Sequence, residues 1–250
     1  MNPRNPTWLC VMPVLAMGCG SDGGSSRELP VSNGQGPAPF DPGEPYQPDV
    51  TAGDLDTLVD NALFPAPVGA TWTYQAETDE GLELDEITVL AETQDVWGAV
   101  ATVVRDTVYL DGELIEDTWD WFAQDGAGNV WYLGEDTYEY ENGEVVCDCG
   151  AWESGVDGAL PGVVMLADPR VGDVYRQEYL EGEAEDLAEV VATDETVTVA
   201  AGTFEHCIKT HDLSAIDASL DEFKFYCPDV GTVLVLEGDV RVELVEYSGL

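Results

Sequence analysis

Residues 71–77 read TWTYQAE, with large apolar side chains on every second position and Trp72 and Tyr74 on one face. The same two-residue period returns in TWDWFAQ (118–124). It is cleanest near the C-terminus, where Val240, Val242 and Leu244 alternate with Asp239, Arg241 and Glu243. Such a period suits an extended chain with one buried and one wet face, and it excludes an amphipathic helix over the same residues. Between these runs stand turn-forming residues. Asp125 to Asn129 predict a hairpin turn leading into a strand from Val130, and Glu141-Asn142-Gly143 predict another. Further strands are predicted at 86–92, 99–110, 173–180, 187–193, 195–200, 203–213, 221–227 and 232–237. One helical period occurs, at 53–63, where Leu55, Leu58, Val59 and Ala62 share a helical face and Pro65 stops it. Residues 155–173 read as a long ordered loop or lid around an apolar patch at Val163–Ala167, because Pro169 and Gly172 prevent a long helix. The pattern predicts an all-β domain: a single antiparallel, strongly curved sheet, as an open barrel or sandwich.

The first residues carry an address. After Arg4, the apolar run Trp8–Met17 is too short to span a bilayer but has the length of a signal-peptide core. It ends in Ala16-Met17-Gly18-Cys19, the small-residue-then-cysteine arrangement of a bacterial lipoprotein signal. Residues 1–18 are therefore read as the signal peptide and Cys19 as the acylated N-terminus. Cys10 lies inside the apolar core without small residues before it and is set aside. Gly20, rather than aspartate, after Cys19 points to the outer membrane. Residues 19–50 are dense in Gly, Ser and Pro and predict a disordered tether; 51–250 remain for one domain with a core of its own.

The chain holds 51 acidic residues against 8 basic ones, a formal charge of −43. That balance excludes nucleic acid as a partner and disfavours anionic headgroups, leaving the lipid anchor as the predicted membrane contact. The simple reading is a solvated acidic coat. No cofactor is predicted; weak Ca²⁺ binding is the alternative, at 135–144 (EDTYEYENGE) or 181–189 (EGEAEDLAE), neither with EF-hand spacing.

The phrases ALFPAPVGATWTY, DGAGNVWYLGEDT, WESGVDGALPGVVMLADPRVGDVYRQEYLEGEAED, TVTVAAGTFEHCIKT and YCPDVGTVLVLE stand in this order between about residues 60 and 247. In them the chain resembles a group of bacterial secreted or lipid-anchored β-rich proteins. The resemblance implies antiparallel β structure and lends no catalytic residue. Two positions depart from its pattern: Ala200 stands near a usual proline, and Cys227 near a usual alanine.

An exported domain meets oxidising conditions, so Cys147, Cys149, Cys207 and Cys227 are expected to form two disulfides. Cys207 and Cys227 lie on consecutive strands, opposite one another to within a residue, and a bridge there would close a loop of roughly twenty residues. Cys147 and Cys149 point the same way from a strand and bond only if the chain turns at Asp148–Gly150; a crossed pattern, joining each to one of the C-terminal pair, is the alternative. A thiolate metal site with His206 and His211 is disfavoured, because their odd separation puts the two rings on opposite faces of a strand. The same rule separates His206 from Cys207, and no nucleophile elbow, phosphate loop or zinc-protease motif occurs. No enzyme activity and no catalytic residue are predicted.

Trp72, Tyr74, Trp119, Trp121 and Trp131 are the candidate ligand-binding residues, although aromatic stripes more often fill a core. The resulting expectation is a cell-envelope lipoprotein with a non-catalytic binding or structural role. Its alternatives are a carrier of an apolar ligand in the sheet cavity and a carboxylate-based hydrolase.

Overall fold

A computed structural model describes residues 27–250, apart from 33, 35 and 43. The signal segment and Cys19 lie outside the described residues. Short pieces come first: β1 (Leu55–Asp56), β2 (Asp60–Asn61) and β3 (Phe64–Pro65). The first half of the sheet is β4 (Thr71–Glu77), β5 (Leu82–Val96), β6 (Ala99–Leu110), β7 (Glu113–Asp125) and β8 (Val130–Glu141). Then come β9 (Glu144–Cys147), β10 (Trp152–Glu153), β11 (Leu160–Met165), β12 (Val174–Arg176) and β13 (Glu178–Tyr179). The second half is β14 (Asp186–Val199), β15 (Gly202–Ser214), β16 (Asp221–Cys227), β17 (Gly231–Glu237) and β18 (Val240–Ser248).

Neighbouring strands run in the order β12–β14–β15–β16–β17–β18–β4–β5–β6–β7–β8–β11–β13, every pair antiparallel. The sheet is so curved that side chains from all round it meet in one interior cluster, including Trp72, Ile87, Phe122, Tyr132, Val235 and Leu244. It is a nearly closed barrel, as the two-residue period predicted. Asp111-Gly112 and Asn142-Gly143 join their strands in two-residue turns with positive φ at both positions. That conformation matches the strand twist and is strained for most other residues.

Three local expectations are overturned. The helix at 53–63 is a 3₁₀ turn at Ala52–Asp54 followed by β1 and β2, because Thr51 and Asp54 close a one-turn capping box and the chain then pairs with the sheet: Leu55 opposite Asp125, Asp56 opposite Gln124. The segment 155–173, read as a loop or lid, carries a strand at its centre. Residues 160–165 form β11, Gly162 pairs with Tyr132 and Val163 with Trp131, and the apolar patch is core from Val163 to Leu166, with Ala167 exposed. Gly162 permits this: a Cβ there would stand 2.0 Å from the Gln177 carbonyl oxygen, so β11 could not pass so near that backbone. Ordered packing also begins well ahead of residue 51. Ala38, Phe40 and Tyr46 are buried, Phe40 against Val174, Leu187 and Leu213, and the Tyr46 hydroxyl donates to the Pro161 carbonyl. Arg176 holds this segment from below, its guanidinium 5.0 Å from the Phe40 ring and 4.9 Å from Tyr179. The segment straps across the seam between β12 and β11–β13, where the sheet is not closed by strand pairing. Scattered aromatic residues in a Pro/Gly-rich stretch found a surface to bury against.

Cys207 bonds to Cys227 across β15 and β16, at Cα–Cα 4.1 Å, next to the register pair Ile208–Tyr226. Cys147 bonds to Cys149 at the end of β9, where the chain leaves the strand for a turn. Of the pairings open from sequence, the local one forms. Removing the buried Cys207–Cys227 bridge with Cys227→Ala is expected to cost about 3 kcal/mol. Urea denaturation of the oxidised proteins would measure it; an unchanged midpoint would show that the strands need no staple.

Candidate functional site

The five aromatic candidates do not form one site. Trp72 and Tyr74 point into the barrel, where the Trp72 indole donates to the Val230 carbonyl at 2.8 Å and the Tyr74 hydroxyl to the Thr232 carbonyl at 2.9 Å. Trp131 is fully buried on the opposite face, and its indole donates to Asp125. Burial pushes that carboxyl up, but hydrogen bonds from Asn129, Trp131 and the turn backbone outweigh it and hold Asp125 below its usual range. These three residues build the fold. The void beside Trp72 and Tyr74 is about 20 Å³, room for one water and none for an acyl chain.

Trp119 is half-buried, and Trp121, though 9% exposed and in the same buried cluster as Trp131, reaches the surface at its edge. Trp119 and Trp121 lie on the outer face of β7 and, with Tyr138 of β8, line an open groove of about 550 Å³. Leu90 and Val103 form its apolar base, and Glu92, Gln94 and Asp136 its polar rim. A bulge makes the groove. Val89 pairs with Val104 but Thr93 with Thr102, so β5 carries two extra residues and bends away from β6. Trp119 meets Tyr138 edge-on at 6.1 Å, carries the Arg105 guanidinium 5.2 Å from its ring, and pairs across the strands with Asp136. Asp117 fixes Arg105 through two hydrogen bonds of 2.7 Å. The Tyr138 hydroxyl donates to Asp136 at 3.2 Å.

The inner face holds what the sequence concealed. Glu83 and Asp85 of β5, Asp106 of β6, Glu116 and Asp120 of β7 and Glu135 of β8 are all buried. Asp120 stands opposite both Val104 and Glu135 in register, so it shares their inward face. Glu178, Asp186, Asp212 and Glu222 continue the series, with Lys224 at 3.4 Å from both Asp212 and Glu222. One end of the interior is apolar and the other is acidic. Tyr132 donates to Asp120 at 2.7 Å, Thr137 to Glu135 at 3.1 Å, and the Thr118 hydroxyl lies 3.1 Å from Glu116.

Burial pushes Glu116 up to about 8, and Asp106 adds to the rise. It raises Glu83 to about 8, with Glu116 and Asp106 contributing. Glu178 reaches about 8 for the same first reason, although the Asp186 backbone N–H and Lys224 pull it down. Asp120, Glu135 and Asp186 are held well above the carboxylate range, again chiefly by burial. A buried carboxyl without a full partner charge keeps its proton, and its O–H becomes a donor. The solvated acidic coat is thus only part of the picture.

The other sequence candidates are dispersed. Cys207 is bonded to Cys227, so it offers no thiolate to His206, whose ring meets Asp194 at 2.8 Å. His211 meets Asp221 at 2.6 Å and stacks on Phe223. In the calcium candidate 135–144, strand alternation sends Glu135 inward while Asp136 lines the outer groove; Leu180–Ala184, at the start of the candidate 181–189, closes a tight turn. Among the described residues no three His, Cys, Asp or Glu side chains are placed to hold a metal ion.

No family model matches the chain, and none of the curated proteins matches it. Among solved structures, a chain from Parabacteroides distasonis described as a "putative lipoprotein" is similar over 75% of this chain and 99% of its own, with 14% sequence identity and a TM-score of 0.41.

Proposed function

We propose that this chain is a non-catalytic binding protein of the bacterial cell envelope, anchored in the outer membrane through acylated Cys19, and that its binding site is the outer groove at Trp119, Trp121 and Tyr138. One observation carries the choice of site. Beside Trp72 and Tyr74 the interior leaves a void of about 20 Å³, whereas half-buried Trp119 and Tyr138, with the edge of the buried Trp121, line an open groove of about 550 Å³. A concave, mostly apolar surface with a few polar groups at its rim is the usual form of a small-molecule site. The carrier alternative would need an apolar chamber inside the barrel. The hydrolase alternative would need substrate to reach paired carboxylates, and those clustered inside are sealed from solvent.

Two measurements test this reading. Cys19→Ala is expected to abolish incorporation of labelled palmitate and to release the protein from membranes; continued membrane retention would refute the anchor. Indole N–H signals of ¹⁵N-tryptophan protein, titrated with small sugars, amines and fatty acids, are expected to move at Trp119 and Trp121 and to stay fixed at Trp72. Shifts confined to Trp72, with fatty acid bound in the interior, would favour the carrier instead.

A further inference from the structure

We infer that the Cys147–Cys149 bridge is a chemically active disulfide, which exchanges with the thiols of extended, basic polypeptides paired along the edge of β9. It is a second site, independent of the groove. The two bridges of this chain differ in what they do for the fold. Cys207 and Cys227 are fully buried and lie 20 residues apart, whereas Cys147 and Cys149 are separated by 2. A cross-link over so short a span removes few conformations from the unfolded chain, so it adds little stability. It is also open to attack, with Cys149 exposed and Cys147 half-buried. Thiol exchange needs that access.

The strand leading into the bridge can receive a chain. Among the described residues β9 pairs with β8 alone, so its other edge presents backbone N–H and C=O groups to a further strand. Val145 and Val146 are each 52% exposed, apolar side chains that the fold leaves uncovered. A segment added along this edge pairs its backbone with Glu144–Cys147, rests side chains on the valines and ends beside the two sulfurs. Charge selects the segment. Glu144 and Asp148 flank the cysteines in the chain and Glu139 stands opposite Cys147, so an anionic thiol such as glutathione is repelled and a basic chain is drawn in.

A thiolate of the segment attacks Sγ of Cys149. The Cys147–Cys149 bond breaks, and Cys147 leaves as a thiolate that takes up a proton. A second thiolate of the segment then attacks the segment's sulfur in the mixed disulfide, closes a disulfide within the segment and releases Cys149. Two thiols are oxidised and two are formed, one equivalent per chain.

The test mixes the folded, oxidised protein, under anaerobic conditions, with a reduced synthetic peptide of valine, threonine and lysine that carries two cysteines. Acid quenching, alkylation and mass spectrometry then map the thiols. One equivalent of peptide disulfide is expected, with new thiols at Cys147 and Cys149, a trapped peptide adduct on Cys149, and Cys207–Cys227 intact. Replacing the peptide's lysines with glutamate, or its central threonines with proline, should slow the reaction at least about tenfold. No exchange at Cys147–Cys149, or equal rates for glutathione and all three peptides, would overturn the inference. Cys147→Ser combined with Cys149→Ser should abolish exchange and leave the urea midpoint close to the parent's. A shift as large as that of Cys227→Ala would make the bridge a staple of the fold and overturn the inference as well.

Discussion

Between pH 5 and pH 8 the fold is expected to lose stability as the pH rises, the reverse of what ordinary paired carboxylates produce. Glu83, Glu116 and Glu178 keep their protons in the barrel up to about 8, whereas in the unfolded chain they release them near 4.5. The folded state therefore binds more protons across this window, and stability must fall with pH. The contribution is whole below the unfolded value and is lost as the pH rises through the folded one. A single group moved from 4.5 to about 8 contributes on the order of 5 kcal/mol. Asp125 and Asp221, held below their usual range, act the other way, but their contribution is complete above about 4 and leaves the window untouched. Lys224 tempers the effect at Glu178, Asp186 and Glu222, whose ionised forms it favours. Thermal unfolding followed by near-ultraviolet circular dichroism should show a Tm lower by at least about 10 °C at pH 8 than at pH 5. Glu116→Gln, which imitates the protonated acid, should match the parent at pH 5 and lose less at pH 8. A Tm that rises across the window would sink the account.

Phe40→Ala should destabilise the protein by about 3–5 kcal/mol, as large as a central core truncation. Phe40 is 1% exposed, in contact with Val174, Leu187 and Leu213, with the Arg176 guanidinium on its ring. Truncation would leave a cavity and strip the Arg176 cation of one of its aromatic partners. Leu58→Ala, at a side chain 62% exposed, is the control and should change stability by less than about 0.5 kcal/mol. Equal effects of the two substitutions in urea denaturation would show that the strap contributes nothing to the fold.

Strands and turns were legible because period and turn chemistry are local. The phase of the alternation was not. In β5, Leu82 and Leu84 look like the inward set and Glu83 and Asp85 the outward one, yet Leu82 is 43% exposed and both acids are buried. In β7 the inward set is Glu116, Thr118 and Asp120, and Trp119 and Trp121 face out. Hydrophobicity alone assigns these faces wrongly, because protonated carboxyls paired with hydroxyls fill one end of the interior. The disulfide at 207–227 was readable from strand register. The groove required the β5 bulge, which no residue type announces. Residues 53–63 failed for a related reason: their helical spacing is real, but pairing with β7 holds the chain extended.

The strap also decides how the molecule responds to force. A pull at the N-terminus loads Arg27 first, through its contacts to Asp221 and Leu220, and then the ring contacts of Phe40 and Tyr46. Few backbone bonds tie this segment to the sheet, among them Arg176 N–H to the Ala38 carbonyl and Phe40 N–H to the Val174 carbonyl. The barrel strands are tied along their whole lengths. The strap yields before them, releasing twenty-odd residues, roughly 80 Å of chain, and because Ala38 and Tyr46 share a buried cluster with Val103 and Trp121, its release also uncovers the floor of the groove. It is a mechanical fuse between the N-terminal end of the chain and the barrel.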